Sequence, residues 1–352
     1  MRYVGLLIIV VPLLHVRTQA QKLETLAQWP LLDFALPYDR DFHEQYQPEN
    51  VVMTGIEVDW DRIFVSTPRL RAGVPATLSF FPRNVALGSS PQLQAYPSWD
   101  WHGAGKGEIN CTRLISVYRT RLDRCNRLWV VDAGVVTSVD DFMPVCPPKV
   151  VVFDTKTDQV VRHITFPRQI GSDTFEFLDG VVGITFSPKL GTVYYQPLAT
   201  DSIFSVPTSA LQAGPLPFGE QLPVTLVGRK SSQGLPLAVD PRDDSILFSP
   251  FTETAIASWQ PQTNQQRIIV YSPEELQFTA EIRWAERDNG NFWVMSSRFH
   301  KFFLRQVDTR QNNIRIMRIT MNGYDHVLAP TPLIHQFNPY YTLNYYNNTT
   351  AY

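Results

Sequence analysis

From Gly55 onward the chain repeats one pattern of apolar and polar positions. A short run alternates apolar with polar residues, a tight polar turn follows, then a second run dense in aromatic and β-branched residues, then a polar loop. Five stretches carry it: Gly55–Arg69, Tyr118–Gly134, Gly183–Thr200, Pro236–Glu253 and Ile282–Phe299. Strict alternation is the signature of strands, whose side chains point to opposite faces in turn. The second-run aromatics Phe64, Trp129, Tyr194, Phe248 and Trp293 are spaced by 65, 65, 54 and 45 residues. That leaves room for two further strands per unit, as Val150–Thr157 and Val160–Pro167 illustrate. Four short strands per repeat, closed by Asp-Arg, Pro-Lys-Leu-Gly and Asp-Asn-Gly turns, predict the blades of an all-β propeller. A pair of β-sandwiches also gives short alternating strands, but it does not require a repeated strand-turn-strand unit. The repeat favours the propeller.

Composition agrees with strands. Of 352 residues, 44% are hydrophobic and 12% aromatic, with 27 prolines and 18 glycines. Proline breaks helix interiors and aromatics fit strands, which argues against a helical bundle. Charged residues make up 18% and the net charge is −2, which excludes a disordered chain and a polybasic nucleic-acid binder.

Residues 1–20 read as a secretory signal peptide. Arg2 gives a positive start, Val4–Leu14 an apolar run, and Thr18-Gln19-Ala20 small residues before a cut at Gln21. The run is too short for a membrane span, and no later segment is long and apolar enough for one. Without Arg2 and Arg17, 29 basic residues stand against 33 acidic ones, a net charge of −4. A secreted, extracellular protein is expected to carry disulfides and N-glycans. Sequons begin at Asn110, Asn347 and Asn348. Three cysteines, Cys111, Cys125 and Cys146, leave one unpaired. In a propeller blade the start of the first strand, the end of the second and the start of the third share one face, and the first hairpin lies on the other. Cys111 precedes a first strand and Cys146 a third strand of the same blade, so strand direction predicts a Cys111–Cys146 disulfide. Cys125 sits in the opposite hairpin, about seven residues or roughly 20 Å away, and is expected to be a free thiol.

Several stretches resemble one family. They are Gly55–Val58, Arg62–Val65, Thr67–Arg69 with Gly73–Leu78, Leu93–Trp99, Cys125–Gly134, Cys146–Lys149, Leu178–Gly183, Tyr195–Ala199 and Trp293–Arg298. Together they are similar to the yellow/major royal jelly protein family of insects over nearly the whole chain after the signal. The resemblance implies a secreted six-bladed β-propeller. It also implies one of several roles: dopachrome conversion in melanin formation and pigmentation, binding of biogenic amines, nutrition, or a place in cuticle or eggshell. Family members usually carry another full blade where only Gln169–Ser172 separate Phe166–Arg168 from Asp173–Phe175 here. That blade commonly brings a fourth cysteine, so its loss accounts for both the short chain and the odd cysteine. Five blades are expected, at about 51–100, 113–168, 180–230, 234–276 and 278–319. They form a propeller domain over 51–320, with an N-terminal strap over 21–50 lying across the ring and a C-terminal tail over 321–352.

Ligands of a propeller bind where loops converge at one end of the central channel. Polar groups ending second strands or beginning first strands are therefore the candidates: Arg69, Asp132, Asp179, Thr252, Glu253, Glu281, Ser297 and Arg298, with Phe299 as a stacking ring. Carboxylates there would pair an ammonium and arginines a carboxylate. Tyr96 and Trp101 are further aromatic candidates. Each also fits a bland role, as an inter-blade salt bridge, a turn former or blade packing. A dopachrome tautomerase needs a base to take a carbon-bound proton and groups to steady the negative charge that develops. Among the histidines after the signal, His102 and His300 fall on loops of this face, and His300 is the candidate catalytic base. No clustered histidines and cysteines, phosphate loop, GxSxG elbow or HExxH motif occurs, so no metal and no cofactor is expected. The expected partner is a small aromatic amine or catechol-type ligand bound by a monomer, with no nucleic acid and no membrane. Two readings stand: a melanin-pathway isomerase, or a non-catalytic binder of amines or structural extracellular protein.

Overall fold

The computed structural model describes residues 22–103, 109–166, 180–214, 216–217 and 219–320, and the backbone of 334–335. The signal peptide, the Arg168–Asp173 junction, Asp179, most of the C-terminal tail and the sequons at Asn347 and Asn348 lie outside these residues. The fold is all β, with five antiparallel sheets arranged as the blades of a propeller. Blade one is Gly55–Val58, Arg62–Ser66, Leu78–Pro82 and Gln94–Ala95. Blade two is Val117–Leu122, Arg127–Asp132, Lys149–Asp154 and Gln159–Thr165, and blade three Val181–Ser187, Thr192–Pro197, Ser202–Pro207 and Thr225–Lys230. Blade four is Leu237–Val239, Ile246–Phe248, Ala255–Gln260 and Gln265–Tyr271. Blade five supplies only Thr279–Ala285, Asn291–Ser297 and Ile314–Thr320 from its own stretch of chain.

Its fourth strand comes from the other end. Lys22–Trp29 pairs antiparallel with Ile314–Thr320, from Lys22 opposite Thr320 to Trp29 opposite Ile314. The expected N-terminal strap is therefore, in its first part, an integral strand of the last sheet. The reason is an unpaired edge: a three-stranded blade would leave the carbonyls and amides of Ile314–Thr320 without partners. The rest of the segment returns to blade one, where Ala35 N–H donates to Leu93 O at 2.9 Å. Trp29 is fully buried, its indole N–H donates to Pro91 O at 2.9 Å, and its ring meets Phe81 edge-on.

Turn chemistry follows the sequence. Asn289 and Gly290 both adopt left-handed backbone, φ 53° and 70°, at the hairpin between the first two strands of blade five. They end the five-residue loop between Ala285 and Asn291, where positive φ costs little for Asn and Gly.

Apolar clusters lock blade to blade. One joins blades one and five through Ile56, Val58, Val65, Trp293 and Met295. Others join one to two through Phe64, Tyr96, Val130 and Phe153, four to five through Leu247, Ile282 and Val294, and three to four through Tyr194, Ile203 and Trp259. Among the described residues no such cluster joins blade two to blade three, the two sheets flanking the short junction.

Cys111 and Cys146 are disulfide-bonded, with Cα atoms 5.5 Å apart across a sequence separation of 35, and Cys125 is an exposed free thiol. A loop of this length is worth about 4 kcal/mol in the chain-entropy account. Cys111→Ser/Cys146→Ser is expected to lower the unfolding free energy by about that much, measurable by urea titration. A change below about 1 kcal/mol would mean that the unfolded chain is not held by this link.

Candidate functional site on the propeller axis

The innermost strands place charge at the centre of the ring. Glu57 lies on the first strand of blade one, Arg119 and Arg121 on that of blade two, and Glu281 and Arg283 on that of blade five. Residues two apart share a strand face, so both arginines of blade two reach the same side, as do Glu281 and Arg283. Arg119 pairs with Glu281 at 2.7 Å, Arg283 with Glu281 at 3.0 Å and with Glu57 at 3.2 Å, and Arg121 with Glu57 at 3.5 Å. Arg119 also donates to the carbonyls of Thr54, Ala280 and Val182, touching blades one, five and three. Gly55 makes the room: a Cβ there would stand 2.8 Å from Ser66 Oγ and 3.5 Å from Glu281 Oε2.

Two carboxylates thus face three guanidiniums. Glu57 is buried, while Arg121 is 59% exposed. Burial raises the Glu57 carboxyl above its ordinary value, Arg283 and Arg121 pull it down, and Glu281 pushes it up; the balance is upward. A desolvated carboxyl raised against the pull of neighbouring cations is found at catalytic sites and also in ion-pair networks that only hold a fold together. Below this layer the hairpins close the axis, where Arg287 pairs with Asp59 and donates to Asn126 Oδ1 at 2.9 Å, and Arg83 pairs with Asp288.

The sequence candidates fall into two groups on the loop face. Arg69 and Asp132 meet around residues 114–116. Arg69 is buried and donates to the carbonyls of Val74 and Ile115. Asp132 is fully buried, accepts from the backbone N–H groups of Ile115, Ser116 and Gly134, and pairs with Lys149 at 2.9 Å. Both are committed to backbone, a structural duty that the sequence reading set beside the ligand role.

The second group gathers over blades four and five. Phe251, Phe278 and Phe299 stack in series, with ring centroids 4.4 and 5.2 Å apart and near-parallel planes. The stack brings the Thr252–Glu253 loop to the Ser297–His300 segment. Glu253 accepts from Thr252 Oγ1 at 2.7 Å and Ser232 Oγ at 3.0 Å. Burial works to raise its carboxyl, but hydrogen bonds from Thr252, Ser231 and Ser232 outweigh that and hold it below the ordinary value. Ser297 is buried, and Arg298 is buried and donates to Gln311. His300 is exposed on the short helix Phe299–Phe303, and burial, Lys301 and Arg298 together lower its pKa. That helix caps the loop face, with Phe302 against Val52 and Leu70.

Tyr96 and His102 are core. Tyr96 meets Phe64 and Phe153 edge-on at 4.8 and 5.3 Å. His102 is buried between Thr77 N–H, which donates to Nδ1 at 3.4 Å, and Tyr96 O, which accepts from Nε2 at 3.0 Å. Burial and Arg69 lower its pKa to about 3. The unfolded chain binds a proton there near pH 6.5 and the folded chain does not until about 3, so stability is lost as pH falls through that window. The contribution is at most about 1.4 kcal/mol per pH unit. His102→Gln is expected to flatten that slope in pH-dependent urea unfolding; an unchanged slope would refute it. Trp101 lines a surface cavity of about 420 Å³ with Asn110, Arg113 and His163, beside the outer strand of blade two and away from the axis.

Of the axial set only Glu281 is among the sequence candidates; the others, as isolated charges in alternating strands, look like a solvated face. The signal present was Glu-x-Arg and Arg-x-Arg on strands that the repeat had already marked as innermost.

The family model described as Major royal jelly protein matches residues 115–173 and 168–327. Its two pieces meet at the Arg168–Asp173 junction. Dopaminechrome tautomerase of Drosophila melanogaster is 26% identical over 390 aligned positions, covering 86% of this chain and 82% of its own. Protein yellow of Drosophila melanogaster is 27% identical, covering 84% of this chain and 68% of its own, and protein yellow of Drosophila subobscura is 26% identical, covering 89% and 68%. The 390 positions exceed the 352 residues of this chain, so that relative carries additional sequence inside the aligned region.

Proposed function

The chain belongs to the major royal jelly protein family, and from that premise we propose that it is a secreted isomerase of aminochromes, the bicyclic quinones formed from catecholamines. The observation that carries this reading is Glu57, a buried carboxyl raised above its ordinary range and flanked by Arg121 and Arg283 on the axis. Each tautomerisation step breaks one ring C–H bond and forms one O–H bond, and two such steps carry an aminochrome to its dihydroxyindole with no net change in atoms or electrons. Ionised Glu57 takes the carbon-bound proton. The negative charge then spreads to the quinone oxygens, where Arg121, the most open member of the set, steadies it. The proton returns to oxygen and Glu57 is restored. Secretion is supported by the apolar N-terminal stretch and by the Cys111–Cys146 disulfide, since such bonds persist in oxidising compartments.

The test is direct. Purified protein is mixed with freshly oxidised dopaminechrome or dopachrome, and loss of the visible absorbance is followed. No acceleration over buffer removes the proposal.

One observation favours a second reading, a binder of aromatic amines. The Phe251–Phe278–Phe299 stack offers ring faces beside ionised Glu253, a pairing suited to an aromatic ring bearing an ammonium. Calorimetric titration with serotonin or dopamine, with Glu253→Gln as the comparison, tests it; equal heats from both proteins remove it.

A further inference from the structure

Blades two and three each turn one face toward the sector where no described blade stands. In the second strand of blade two, Leu128, Val130 and Asp132 are buried toward blade one, whereas Val131, on the other face, is 46% exposed. Every residue of the outer strand Gln159–Thr165 is exposed. On blade three, Ile184 and Phe186 of the innermost strand are 64% and 48% exposed. Strand register sets Ile184 opposite Tyr195, Tyr195 opposite Phe204 and Phe204 opposite Leu226, an apolar row crossing all four strands. Tyr195 and Phe204 stack at 5.5 Å. Ile184 and Phe186 are exposed and Tyr195, Phe204 and Leu226 half-buried, a continuous apolar strip open at the innermost strand, and such a strip marks a contact site.

The occupant is indicated by where the chain goes next. After blade five it returns to blade three, and Ile334–His335 pairs with Arg229 and Lys230 as a fifth strand on the outer edge. The face toward blade four is closed by the cluster of Tyr194 and Ile203 with Leu237 and Ile246. Among the described residues, the face of blade three left open to a chain leaving that edge is the one that carries the apolar row. Residues 336–352 contain no Asp, Glu, Lys or Arg, and they carry Phe337, Tyr340, Tyr341, Leu343, Tyr345 and Tyr346. With no charge to desolvate, such a segment escapes the largest cost of leaving water. Eleven extended residues reach roughly 37 Å, against about 15 Å for the breadth of four strands.

We propose that residues 336–346 of this same chain lie across the Ile184–Tyr195–Phe204–Leu226 row and cover the open face of blade three. The sequons at Asn347 and Asn348 then fall just past the covered surface, where a glycan has room.

The test compares the full chain with a chain ending at His335 and with a full-length Tyr340→Ser/Tyr341→Ser variant, by light scattering, dye binding and hydroxyl-radical footprinting. The full chain is expected to be monomeric. Both altered chains should show a several-fold rise in bis-ANS fluorescence and faster oxidation at Phe186 and Tyr195. If the shortened chain aggregates, the tyrosine variant decides alone. Equal oxidation in the full-length variant and the parent overturns the proposal. So does a parent that is dimeric with protection at Phe186 rising with protein concentration, because a second copy would then be the cover.

Discussion

Glu57→Gln should abolish most of any aminochrome isomerase activity, lowering kcat/KM by about 100- to 10,000-fold, the usual span for removal of a positioned general base. Glutamine keeps the size and one acceptor oxygen but cannot take the proton. A loss of less than about tenfold would show that the proton goes elsewhere, with His300 as the next candidate on the loop face. The pH profile gives an independent reading. Glu57 works in its ionised form and its folded pKa is raised, so activity should climb with pH along a limb displaced above the ordinary carboxylate value of 4.5. In Glu57→Gln any residual activity should lack that limb. Stability runs the opposite way for this group. The folded state holds the Glu57 proton more tightly than the unfolded state, so its contribution favours folding at low pH and is withdrawn as pH rises through the raised value. Opposite pH trends for rate and stability, both cancelled by one substitution, would be hard to obtain from any other residue.

The second large effect is on the ring itself. Deleting Lys22–Trp29 is expected to leave no folded monomer at 25 °C, and Trp29→Ala alone to cost about 3–5 kcal/mol. The substitution removes a fully buried indole, its hydrogen bond to Pro91 O and its edge contact with Phe81. The deletion also strips the ladder partners from Ile314–Thr320, an edge that other chains could then join. Urea unfolding followed by tryptophan fluorescence measures the first, and light scattering the second. A deletion variant that stays monomeric and unfolds cooperatively would show that blade five stands on three strands.

Alternation and repeat spacing were enough to read the blades, because a strand buried between neighbouring sheets declares itself residue by residue in its own sequence. The closing strand was not legible in the same way. Lys22–Trp29 alternates no better than many surface segments, and its partner lies at the far end of the chain, where no local pattern points back to it. The axial charges other than Glu281 were missed for a related reason. Glu57, Arg119 and Arg283 are ordinary residues in their own strands, and only the closing of the ring sets them within 4 Å of one another's partners. The loop-face candidates show the converse. Arg69 and Asp132 sit at the strand ends where a ligand site was sought, yet the backbone around residues 114–116 takes up their hydrogen bonds.

The pairing of Lys22–Trp29 with Ile314–Thr320 also fixes an order of events during synthesis. Close to three hundred residues separate the two strands. At the usual pace of translation the earlier one waits on the order of tens of seconds before its partner leaves the ribosome. Four blades can form in that interval, but the final one cannot be completed until Ile314–Thr320 has been made. An apolar strand end, Leu26 to Trp29, must therefore be kept from premature association throughout elongation. Chaperone capture of nascent chains should concentrate on this segment and cease once Ile314–Thr320 has emerged.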